Sequence, residues 1–222
     1  MTKTLKDPAS ALTHLGGCIA AVLASVPLMM RAAAQPDKTH TAALGIFILS
    51  MIMLYGASTL YHSINSTEKK NRCFKKLDHI MIFVLIAGTY TPVCLIVLNP
   101  PMGHFLCLLV WGIAVAGILF KIFWVNCPKW FSSILYIGMG WVCLLAINQI
   151  HAALPAAAFS WLLAGGLFYT AGGVIYALKM TAFNAAHPNF GTHEIFHVFC
   201  LAGSFCHFIF MFRYVAVMPL AG

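Results

Sequence analysis

Residues 193–217 read HEIFHVFCLAGSFCHFIFMFRYVAV. From Ile195 onward the only Lys, Arg, Asp or Glu is Arg213, near the end of the run. At 1.5 Å of rise per residue such a stretch is long enough to cross a hydrocarbon core about 30 Å thick. The same stretch opens on His193-Glu-Ile-Phe-His197, and on a helix positions i and i+4 share one face. A spanning helix with two imidazoles stacked at its mouth is the pattern from which the rest of the chain can be read.

Working outward, six more runs of this kind precede it, at 14–33, 42–64, 78–98, 104–124, 131–152 and 156–178, with 195–217 the seventh. They are separated by polar or Pro-bearing punctuation such as Gln35-Pro-Asp-Lys38, Asn99-Pro-Pro101 and Asn184 to Thr192. Hydrophobic residues make up 61% of the chain and charged residues 8%, far below the quarter or so that soluble domains carry. The reading is an all-α membrane protein, a seven-transmembrane-helix bundle forming a single domain over 1–222, without room for a soluble module. The first apolar run has no small-residue cleavage site after it and is read as a retained span, not a signal peptide.

The net charge of +8 reports orientation. Placing the N-terminus inside puts Lys3, Lys6, Lys69, Lys70, Arg72, Lys75, Lys76, Lys121, Lys129 and Lys179 on the cytoplasmic side and leaves Arg31, Lys38 and Arg213 outside. The expected topology therefore has a short cytoplasmic N-terminus and an external C-terminus. Because the basic residues are split among short loops with no aromatic-interleaved polar surface, nucleic acid is excluded as a partner and anionic headgroups take its place. The eight cysteines include no C-x-x-C pair and read as packing residues. Gly165, Gly166, Gly172 and Gly173 mark close helix contacts in the sixth span, and Pro92 a kink in the third.

Only five acids exist: Asp7, Asp37, Glu68, Asp78 and Glu194. An acid in or beside a span is costly unless paired, wet or linked to a metal, which singles out Asp78 and Glu194. The topology brings Ser58-Thr-Leu-Tyr-His62, Asp78-His79 and the pair His193 and His197 to the same leaflet, with His14 at that level too. His62, His193 and His197 are the expected metal ligands. Three histidines leave a fourth tetrahedral position open, the arrangement of a catalytic zinc. Asp78 is placed to handle a proton or to orient a ligand, and Ser58, one turn from His62, to hydrogen-bond water or an oxyanion. His207 lies about 15 Å deeper along its helix and falls outside the ligand set. His40, His104, His151 and His187 are expected to be solvated or interfacial.

The strings Ser58-Thr-Leu-Tyr-His62-Ser, Asp78-His-Ile, Ala87-Gly-Thr-Tyr-Thr-Pro92, Gly172-Gly-Val-Ile-Tyr176, Phe190-Gly-Thr-His193-Glu-Ile-Phe-His197 and Gly203-Ser-Phe-Cys-His207 together resemble the haemolysin III proteins, which belong with the progestin and adiponectin receptor (PAQR) superfamily. The resemblance covers nearly the whole chain. It implies a seven-helix protein of the bacterial inner membrane, with Zn2+ held at the positions matching His62, His193 and His197, an aspartate matching Asp78 beside the zinc water and a serine matching Ser58 close by. It also implies a membrane lipid as substrate or ligand, through hydrolysis of a lipid amide or ester. The alternative it leaves is a non-enzymatic regulator, sensor or cytolysin with a structural zinc. One departure stands out. The family's first motif, acid-x-x-Asn before Thr-His, appears as Asp7-Pro-Ala-Ser10 before Thr13-His14, with serine in place of asparagine. Only the H-x3-H part of HExxH recurs in the family, so Glu194 is not the general base of a zincin.

Overall fold

The computed structural model describes residues 5–178, 180–188 and 190–221. Lys3 and Lys179 of the basic set lie outside these residues. Among the described residues seven helices are long and apolar enough to span a membrane: α1 Pro8–Ala33, α2 Lys38–Ser63, α3 Glu68–Pro92, α4 Pro100–Phe123, α5 Lys129–Ala153, α6 Ala156–Leu178 and α7 Thr192–Arg213. A short helix, Thr181–Ala186, lies in the connection before α7. The protein is an all-α, multi-pass membrane protein.

Most helices start before the apolar runs that announced them. α1 begins with Pro8 in its first turn, where the missing N–H costs nothing, and α3 begins at Glu68, ten residues ahead of Asp78. The early turns of α3 carry Lys69, Lys70, Arg72, Lys75 and Lys76, so a hydropathy window opens only after them. Helix ends are set by side chains: Asp37 accepts from Thr39 N–H at the start of α2, a bond that holds its carboxyl below the usual range, and Thr67 accepts from Lys70 N–H at the start of α3.

Two helices are broken where polar or cyclic side chains interrupt the ladder. After Pro92, α3 continues as one π-helical turn, Val93–Val97, closed by Leu98 N–H on the Val93 carbonyl at 3.0 Å. α5, expected to be continuous, is α-helical over Lys129–Gly140 and Ile147–Ala153 with a 3-10 segment, Trp141–Ala146, between. The Tyr90 hydroxyl of α3 sits in that break, donating to Gly140 O at 2.6 Å and accepting from Cys143 N–H at 2.8 Å. A side chain inserted into the ladder is a recognised cause of such a break.

α2, α3 and α7 are the inner helices, with 56%, 61% and 44% of their apolar windows buried, against 17–22% for the other four. α1 turns Leu12, Ile19, Val22, Leu23, Val26 and Met30 outward, and α4 does the same with Leu108, Leu119 and Phe123, the belt a lipid-facing surface requires. α1, α2, α3 and α4 pack in chain order, α6 pairs with α7 and α5, and α7 closes the ring against α1. Small residues permit the approaches. A side chain at Gly172 would meet Phe199 Cβ at 2.8 Å, one at Gly173 would meet Ile137 at 3.0 Å, and one at Gly165 would run into His207. Gly166 faces open space instead.

Two expectations about basic side chains are corrected as well. His40 is neither solvated nor interfacial but buried, with Nε2 2.8 Å from the Met218 carbonyl, because the segment after α7 folds back over the start of α2. Lys121 does not face headgroups. It is wholly buried and donates to Ser132 Oγ at 2.6 Å and Cys127 Sγ at 3.1 Å, tying the end of α4 to the start of α5. His104, His151 and His187 are exposed.

Candidate metal centre

The three inner helices each deliver a polar group to one end of the bundle. His62 closes α2, His193 and His197 occupy the first two turns of α7, and Asp78 lies in α3. The ligand-capable atoms of His62, His193 and His197 all lie within 4.8 Å of one another. His62 Nε2 and His193 Nε2 are 3.2 Å apart. Two nitrogens bound at 2.0–2.1 Å in a tetrahedral shell stand about 3.3 Å from each other, so this pair already has the spacing of ligands to one ion. The donor set can hold a metal ion. It offers three imidazoles and no thiolate.

Each of the two buried histidines of the set is oriented from behind by α1 or its N-cap residue. His62 Nδ1 donates to Asp7 Oδ2 at 3.0 Å, which leaves its Nε2 as the lone-pair nitrogen turned toward His193. His197 Nδ1 lies 3.4 Å from Thr13 Oγ1, whose own proton goes to backbone carbonyls of α1. The Asp7–His62 pair is the carboxylate-histidine arrangement that fixes tautomer and ring orientation behind a bound metal. Asp7 and Thr13 were not singled out from spacing alone. The Asp7-to-His14 motif is the signal that the sequence offers for them, and the serine at position 10 weakens it. Ser10 is in fact engaged, donating to Glu194 Oε1 at 2.7 Å, while Glu194 Oε2 accepts from Gly191 N–H at 2.8 Å. Glu194 thus ties the start of α7 to α1 and caps it.

His14 joins the cluster as a fourth imidazole. Its ring stacks on that of His197 with centroids 3.6 Å apart and planes within 7°. Asp78 is buried, with His79 Nδ1 3.2 Å from its carboxylate and the Ser58 hydroxyl beside it. His207 stands apart, donating Nε2–H to the Leu162 carbonyl at 3.2 Å with its ring set against Gly165.

The cluster forms the polar end of an elongated apolar cavity. His14, Ser58, Asp78, His193 and His197 line one end, and the walls continue along α3 to Val93, along α5 past its break to Ile150 and along α7 to His207. From Asp78 to Val93 the wall is about 22 Å long at helical rise, longer than the roughly 15 Å depth of one leaflet's hydrocarbon.

The family model described as haemolysin-III related matches residues 2–208. A protein of Bacillus cereus named hemolysin-3 is 38% identical over 97% of this chain and 94% of its own length, and a hemolysin-3 homolog of Bacillus subtilis is 37% identical over 97% and 98%. More distantly, an adiponectin receptor protein of Drosophila melanogaster is 25% identical over 88% of this chain and 48% of its own length. With a match of this extent, carried on a seven-helix bundle that gathers three histidines at one end, the chain belongs to the haemolysin-III related family.

Proposed function

We propose that this protein is a zinc-dependent hydrolase of the bacterial inner membrane that cleaves an amide or ester bond in a lipid, with His62, His193 and His197 as ligands. The observation that carries the reading is the junction of the histidine cluster and Asp78 with the end of a cavity long enough for one acyl chain. A structural site has no need of such a cavity. When bound, zinc supplies a Lewis acid and lowers the pKa of water at its open position toward neutrality.

The chain's own residues do the rest. Asp78, a buried carboxylate, takes a proton from the attacking water and returns it to the leaving amine or alcohol. Ser58 offers a hydroxyl to the water or to the carbonyl oxygen. Asp7 and Thr13 hold His62 and His197 in the tautomer that presents Nε2. The apolar walls seat the acyl chain and exclude bulk water from the reacting bond.

The side of the membrane follows from charge. Lys6 reaches the Tyr61 carbonyl beside His62, and Lys75 of α3 donates to Asn126 of the α4–α5 loop, so basic residues before α1 and at the start of α3 lie at the end of the bundle that holds the histidines. Arg31 bonds the Phe212 carbonyl at the other end. The positive-inside rule then assigns the metal end to the cytoplasmic leaflet.

One observation favours a second reading. The ligands come from two different helices, so a bound metal would also clamp α2 to α7, as a sensor or regulator with structural zinc requires. The deciding experiment is incubation of zinc-loaded protein with a panel of ceramides, N-acyl amino acids and phospholipids. Release of a fatty acid from any of them supports the hydrolase; no turnover by fully loaded protein supports the clamp.

A further inference from the structure

We infer that His14 is the oxyanion-binding side chain of this site, donating a hydrogen bond to the carbonyl oxygen of an acyl amide or ester held in the cavity. The inference rests on the metal-dependent reading above and adds to it a residue with a distinct task.

His14 is 3% exposed, yet neither of its ring nitrogens has a hydrogen-bond partner among the described residues. A buried imidazole left wholly unpaired is rare in native proteins and is retained where a ligand or reacting group completes it. The ring is not loose. It is gripped face to face by His197 and edge-on by Tyr55, whose centroid is 5.0 Å away, and Tyr55 is itself anchored by a 2.6 Å bond to Ser204 Oγ. Such packing fixes a donor in place before any ligand arrives, which is the requirement for stabilising charge that develops during a reaction.

The stacking also argues that His14 is not a fourth ligand. An imidazole lone pair lies in the plane of its ring. With the two rings parallel at 3.6 Å, the lone pairs of His14 and His197 run side by side and do not converge on one ion. His14 is accordingly absent from the set whose donor atoms come within 4.8 Å of one another. It does line the cavity beside Ser58, Asp78 and His197. A neutral imidazole carries one N–H, enough for one carbonyl oxygen.

The test uses the full-length protein in detergent and dodecanohydroxamic acid as probe, since its acyl tail suits the cavity and its hydroxamate presents a carbonyl oxygen at a metal. Zinc content is measured by elemental analysis and probe affinity by titration calorimetry, for wild type, His14→Phe, His14→Gln and His14→Asn. All four should hold equal zinc. His14→Phe should bind the probe about 10- to 100-fold more weakly, the worth of one hydrogen bond to a charged acceptor. At least one amide variant, whose N–H can stand where an imidazole N–H does, should stay within about threefold of wild type. Equal affinity in His14→Phe overturns the inference, as does loss of zinc from it while it remains folded. Should His14→Phe fail to fold, loss of more than about tenfold in both amide variants with zinc retained is the overturning result. A wild type without zinc brings down the metal-dependent reading itself, and the inference with it.

Discussion

His62 donates Nδ1–H to the Asp7 carboxylate at 3.0 Å, across 55 residues of chain. Asp7 stands at the N-cap of α1, and its amide bonds back to the His62 carbonyl at 2.9 Å, so the contact is held by backbone as well as side chain. An aspartate so placed fixes the tautomer of His62 and leaves Nε2 free for a bound metal. Asp7→Asn should therefore weaken zinc binding by about 10- to 100-fold without abolishing it. Competition with a chelator measures this; unchanged affinity would mean that the Asp7 carboxylate does nothing for the metal.

Removal of the proposed ligands themselves should be more severe. Purified without added metal, the wild type should carry about one zinc per chain, largely lost in His62→Ala, His193→Ala or His197→Ala. His207→Ala should keep it, because His207 lies about 15 Å along α7 from His197 and is committed to the Leu162 carbonyl. Elemental analysis distinguishes the four. A zinc-free His207→Ala beside a loaded His62→Ala would require a different ligand set.

Gly165 and Gly166 are neighbours with opposite tasks. A methyl at Gly165 would collide with the His207 ring, and overpacking of this kind costs about 1–3 kcal/mol, more than the roughly 1 kcal/mol that Ala gains over Gly in a helix. Gly165→Ala should lower the thermal unfolding temperature in detergent. Gly166→Ala should not, since nothing lies within 4 Å of its added methyl. The glycine lines the cavity, so its effect should fall on the entry of an acyl chain. Equal melting temperatures for Gly165→Ala and the wild type would show that His207 has room to move.

Orientation is testable with reporters. One inserted at Asn65-Ser66 should read cytoplasmic and one fused to the C-terminus periplasmic, following the basic residues gathered at the histidine end of the bundle. The structure guides the insertion site: the Glu68 to Lys76 stretch, which reads as a loop in sequence, is the start of α3, and the connection is confined to 64–67. Reversed signals would move the site to the outer leaflet.

The seven helices were legible because lipid demands long uninterrupted apolar runs, a constraint strong enough to survive in a single sequence. What the sequence did not reveal were their polar ends and the break in α5; the interruption of α3 was marked by Pro92. The first turns of α3 are too basic for any apolar window, and the 3-10 segment of α5 depends on Tyr90 arriving from another helix. The convergence of His62, His193 and His197 followed from counting helix directions, a matter of one dimension along the membrane normal. Asp7, Thr13 and His14 needed the other two. Their role depends on α1 lying against both the end of α2 and the start of α7, a lateral arrangement on which depth is silent.

Asp78 offers the sharpest separation of enzyme from clamp. It lies outside the three-histidine set, so Asp78→Asn, nearly isosteric, should leave zinc content and fold unchanged. If the carboxylate carries the proton between water and leaving group, the variant loses that transfer, worth about 10²–10⁴ in rate. A zinc that merely joins α2 to α7 would be indifferent to the change, because an amide fills the same space beside His79 and Ser58. The measurement is lipid turnover by wild type and Asp78→Asn, each normalised to its zinc. A drop of two to four decades at equal zinc supports proton handling by Asp78. Equal turnover in the two proteins removes Asp78 from the reaction and leaves Ser58 and His14 as the polar groups still able to serve it.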